Sequence, residues 1–182
     1  NLNITGQTVG SPGFLRLVPN NSFGGAPPAT NTASFANTRL HLDNMTTTVR
    51  TNSQGNTVEI GQLSGTSTAA LNGGNAGTAA RYQIGGLNTD SEFAGTINGA
   101  GGISINKIGT GTLTLSGNFN GSGALTNQIA ARQGGVVRVT AGTLAITGAS
   151  FIPGGSGTTL TTIDVLSGAT FDVSGAPSTF ST

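Results

Sequence analysis

Few side chains in this chain could do chemistry, so their grouping is informative. His41 is the single histidine, and in RLHLD, 39–43, it lies two residues from both Arg39 and Asp43. On an extended strand these three share one face, because successive side chains alternate. An imidazole beside a carboxylate can exchange protons, but no nucleophile in a recognisable setting accompanies it. The expected role is a cross-strand polar ladder on a solvated face. Asp90 and Glu92, in NTDSEF, form a second pair on one strand face. Two carboxylates can hydrolyse a glycoside or, with Asn88 and backbone carbonyls, hold calcium. Asp90 and Glu92 are therefore the calcium candidates, beside the plainer account of solvated acids where a loop enters a strand. The nonapeptide calcium repeat is not present, since NGGNAGTAA, 72–80, has no aspartate. Asp164 and Asp172 could approach each other from successive strands, but two acids make a poor metal cage. GTGTLTLSG contains Gly-x-Gly without a following helix, so it is no phosphate cradle. The expectation is no catalytic residue, no cofactor, no metal beyond the calcium candidates, and no enzymatic activity.

Composition narrows the function classes further. The chain of 182 residues carries 7% charged residues, against roughly 25% in an average soluble protein. Its net charge is +1 and its seven basic residues are scattered singly, which leaves no electrostatic footprint for nucleic acid or an anionic membrane. No apolar run approaches the roughly 20 residues of a membrane helix. Cysteine is absent, so stability must come from packing and backbone ladders rather than disulfides. The opening at Asn1 is what a processed or excised segment would have.

The elements that must position these residues are strands. Thr, Val and Ile recur in short bursts while surface helix formers are scarce, which favours strands and turns. Thr112-Leu113, Thr143-Leu144 and Thr170-Phe171 recur at spacings of 31 and 27 residues within KIGTGTLTLSG, RVTAGTLAITG and VLSGATFDVSG. Upstream, VEIGQLSG and YQIGGLNT place Ile60 and Ile84 24 residues apart. Each segment alternates with period two: Leu113, Leu115, Val137, Val139, Leu144, Ile146, Ile163, Val165, Phe171 and Val173 are the expected inward residues. FLRLV at 14–18, RLHLD at 39–43 and GISINKI at 102–108 are further strands, while TNQIAARQ, 126–133, could hold one helical turn. Residues 19–37 contain three of the six prolines and read as a long loop or excursion. Short strands returning every 20–30 residues through glycine corners predict an all-β parallel β-solenoid, a single domain over 1–182. The alternative is an antiparallel β-sandwich, for which Asn72-Gly73, Asn98-Gly99 and Asn120-Gly121 are hairpin signals.

FAGTINGAGGISINKIGTGTLTLSGN, 93–118, resembles the autotransporter-associated β-strand repeat of bacterial surface and secreted proteins, as do VTAGTLAITG and LSGATFDVSG. NTVEIGQLSGTSTAALNGG resembles the segment that commonly precedes that repeat. The likeness spans roughly 56–175, and residues 1–55 carry none. Where the family has a tyrosine in NTYTGGT, this chain has FNGSGALTN, with Phe119 as its aromatic. The resemblance implies a right-handed parallel β-helix, exported to the cell surface or beyond, without catalytic residues. The expected function is a structural subunit that stacks or exchanges a strand into a bacterial surface fibre. The alternatives are an adhesin or passenger stalk module, or a glycan-binding module. The expected partner is therefore another copy of the chain, with glycans or host cell surfaces as further candidates.

Overall fold

The computed structural model of the chain describes residues 2–5, 14–17, 32–43, 48–51, 57–72, 80–98, 103–117, 136–148 and 162–176. These are strands and tight corners, with no helix among the described residues. In chain order the strands are β1 (Leu2–Thr5), β2 (Phe14–Leu17), β3 (Thr32–Asp43), β4 (Thr48–Thr51), β5 (Thr57–Gly65), β6 (Ala70–Asn72), β7 (Ala80–Ile84) and β8 (Ser91–Phe93). They continue as β9 (Thr96–Asn98), β10 (Ile103–Lys107), β11 (Thr112–Leu115), β12 (Val136–Val139), β13 (Thr143–Ile146), β14 (Thr162–Val165) and β15 (Thr170–Asp172). Every pairing between them is parallel, which removes the antiparallel sandwich and makes the fold a β-solenoid.

One ladder runs β1–β3–β5 and then forks. The cause is local. β5 is a continuous strand, whereas one winding later the corner at 85–90 breaks it into β7 and β8. Gly85 (φ 118°) and Asn88 (φ 58°) make that corner in the left-handed region, where an ordinary side chain is strained. Beyond it, β10, β12 and β14 stack on β7, while β11, β13 and β15 stack on β8. A second sheet, β2–β4–β6–β9, closes the other side of the early windings.

Register puts like on like. Thr112, Thr143 and Thr170 are Cα partners, as are Leu113, Leu144 and Phe171, and Ile60 pairs with Ile84. The inward columns form one continuous core in which Val58, Ile60, Leu63, Leu71, Ile84, Phe93, Ile97, Leu113, Leu115, Val137 and Val139 are buried. Each such aliphatic side chain contributes about 1.5–3 kcal/mol on burial. Phe93 fits because its partner in the previous winding is Gly65; a Cβ there would lie 2.8 Å from the Phe93 ring.

One sequence expectation changes here. β3 begins at Thr32, so 32–37 is strand and not part of the excursion expected over 19–37. β1 and β3, which lie outside the repeat resemblance, belong to the same ladder, with Leu2 paired to Leu40 and Leu40 to Leu63, in keeping with a solenoid that begins before residue 56. The segment 126–133 lies outside the described residues. Asn72 and Asn98 end β6 and β9, and these pair in parallel with each other rather than in hairpins.

Candidate functional site

His41 stands on β3 with Arg39 and Asp43, as alternation requires, while Leu40 and Leu42 are buried on the other face. Its Nδ1 lies 2.7 Å from the Ser64 hydroxyl of the next winding. That is a ladder contact between adjacent strands, and among the described residues it joins no carboxylate.

Asp90 and Glu92 turn to separate hydrogen-bond partners. Asp90 Oδ1 accepts the Thr112 amide at 2.7 Å, and its backbone carbonyl accepts Gln62 Nε2 at 2.8 Å. Glu92 accepts the Ser116 hydroxyl. Asn88 Oδ1 likewise accepts the Thr110 amide at 3.0 Å. Asn88 and Asp90 face the winding above because amides at the corner have no regular ladder partner and need another acceptor. Among the described residues no group of three or more His, Cys, Asp or Glu is placed to hold a metal.

Asp164 and Asp172 also go separate ways. Arg138 Nε meets Asp164 Oδ2 at 2.8 Å. Asp172 Oδ1 accepts the Ser174 amide at 2.9 Å, and hydrogen bonds from the Ser174 backbone and side chain hold its pKa below the usual carboxylate range.

Lys107 is a feature that the sequence reading passed over. It occupies an inward column between Ile84 and Val139 and is 1% exposed. Its Nζ donates to the carbonyls of Ile108 and Gly109, each at 2.8 Å, and of Ala141 at 3.2 Å. The ammonium thus ties its own corner to the corner of the next winding. Burial lowers its pKa, and the Asp90 charge opposes that shift. The signal was present in ISINK, where alternation puts Lys107 on the face of Ile105.

The outer face of β7, β10 and β12 holds the most developed polar surface. One outward column runs Glu59, Gln83, Asn106, Arg138, Asp164, and beside it runs Thr57, Arg81, Ser104, Val136, Thr162. Gln83 Nε2 donates to Glu59 at 3.1 Å, Asn106 Nδ2 to Gln83 at 3.2 Å, and the Thr140 hydroxyl to Asn106 Oδ1 at 2.7 Å. Opposite or neutral groups thus follow one another, and no two like charges are adjacent in the column. This face encloses an open depression of about 380 Å³ between Arg81 and Arg138. In the sequence these arginines are isolated cations, because their proximity depends on which windings stack. Comparison with protein-family models, with curated proteins and with solved structures gives no match for this chain.

Proposed function

We propose that the chain is a non-enzymatic structural protein exported to the bacterial surface, a solenoid subunit whose copies join end to end into a fibre. The observation carrying this reading is the last described winding. β14 and β15 have a neighbouring strand on one side only among the described residues. Val165 is 42% and Leu166 41% exposed, and Ile163, Phe171 and Val173 are only partly buried. An open strand edge flanked by apolar side chains favours the addition of another strand, and a second copy offers one of matching spacing. Low charge along the columns leaves little repulsion to oppose it.

A second reading is supported by the stacking of the phrases that resemble the autotransporter-associated repeat, whose Thr-Leu and Thr-Phe pairs are in register. On it the chain is a stalk or adhesin module of a passenger protein, working as a rigid spacer. Electron microscopy and light scattering across a concentration series separate the two. The fibre reading expects rods that lengthen with concentration, and unit-length rods after Val165→Lys combined with Leu166→Lys. Unit rods of the unaltered chain at every concentration would leave only the stalk.

A further inference from the structure

The depression on the outer face of β7, β10 and β12 is lined by two arginines and several neutral polar side chains. Its two guanidiniums stand at opposite corners. Arg81 and Arg138 are two strands apart, roughly 10 Å, and two residues apart along the strand, roughly 7 Å. Ser104, Gln83 and Asn106 fill the space between them. Arg138 meets Asp164 through Nε, which leaves the donors on its two terminal nitrogens outside that ion pair. Arg81 is exposed and has no ion-pair partner among the described residues. The acids of the column, Glu59 and Asp164, lie on either side of the Gln83–Asn106–Arg138 run, and neither lines the depression.

The amides are held in place before any ligand arrives. The chain Thr140 to Asn106 to Gln83 to Glu59 fixes both side chains. Each amide nitrogen gives one of its two hydrogens to that chain. The second hydrogens and the Thr57 hydroxyl are left for a polyhydroxylated ligand. Groups ordered in advance cost less on binding. The volume, about 380 Å³, lies within the range of roughly 300–1,000 Å³ for small-molecule sites.

We propose that this depression binds an anionic saccharide, a sugar carrying a carboxylate or sulfate. The anion pairs with the Arg81 fork, and the Gln83, Asn106 and Ser104 groups engage its hydroxyls. Arginine suits that role because its planar fork matches the oxygens of either anion.

The test is calorimetric titration of the full chain with a short oligouronide, a sulfated oligosaccharide of similar length and a neutral oligosaccharide. At least one anionic probe should bind more tightly than the neutral one, and their order assigns carboxylate or sulfate. Arg81→Gln is exposed and should leave the melting temperature unchanged while weakening binding roughly tenfold or more, the loss of one charge-assisted hydrogen bond. Asn106→Asp, which puts a negative charge in the depression, should weaken it as well. Equal binding of all three probes, no binding, or indifference to Arg81→Gln would overturn the site. The result is separable from fibre growth, since a chain that binds the sugar as single rods keeps this site and loses the fibre.

Discussion

Replacing Lys107 by methionine keeps the length and apolar stem of the side chain and deletes its ammonium. The carbonyls of Ile108, Gly109 and Ala141 then lose the donor that met them at 2.8, 2.8 and 3.2 Å. A fully buried carbonyl stripped of its partner costs about 1–3 kcal/mol. These three residues are only partly buried, so the lower figure applies, for a gross loss of about 3 kcal/mol. Relief of the ammonium's desolvation works in the opposite direction and leaves a net loss of about 2 kcal/mol. At this chain length that corresponds to a fall in melting temperature of about 4–8 °C, measurable by far-ultraviolet circular dichroism. The pH dependence supplies a second signature. Burial puts the folded lysine's pKa below its ordinary 10.5. Between those two values the unfolded chain holds a proton that the folded chain has released, so stability rises with pH through that window. Lys107→Met should flatten the rise. A variant that melts at the same temperature or higher would refute the claim that this cation is needed to satisfy the corner carbonyls.

Four further substitutions probe the stack. Leu115→Ala, buried between Phe93 and Ile146, should cost about 2–5 kcal/mol in urea unfolding by leaving a cavity. Burial raises the Tyr82 pKa above its ordinary 10.0, so above pH 10.0 the unfolded chain loses a proton that the folded chain keeps. Stability should therefore fall as pH rises past that point, and Tyr82→Phe should remove that part of the fall in denaturation curves taken at several pH values. Gly109 (φ 72°) and Gly168 (φ 80°) both lie in the left-handed region, but a Cβ at Gly109 would come within 2.1 Å of the Gly85 carbonyl oxygen while one at Gly168 meets nothing within 4 Å. Gly168→Ala should cost only the backbone strain, about 1–2 kcal/mol, and Gly109→Ala clearly more by thermal melting.

Much of the fold was legible because the deciding signals are local. Alternation put Leu113, Leu115, Val137, Val139, Leu144 and Ile146 inward, and all six are buried. The recurrence of Thr before Leu or Phe matched the register residue for residue. Val165 had the same inward pattern yet is 42% exposed; it stands on β14, which has a neighbouring strand on one side only among the described residues. The first half of β3, 32–37, reads as part of the loop in sequence because it follows directly on a proline-rich stretch. Asp90 and Glu92 share a strand face in sequence, but the Thr112 amide and the Ser116 hydroxyl of the winding above claim their carboxylates.

The residues alone determined that the chain forms strands, which face of each is apolar, and that successive windings repeat one phrase. Those properties follow from side-chain period and glycine placement, which act over a few residues. Only the tertiary structure decided that Lys107 plugs the corner stack, and that Arg81, Asn106 and Arg138 border one depression. The spacing between stacked partners varies, from Ile84 to Lys107 and from Asn106 to Arg138. No fixed sequence interval therefore identifies which polar side chains meet, and their neighbours are set by the hydrogen-bonded register.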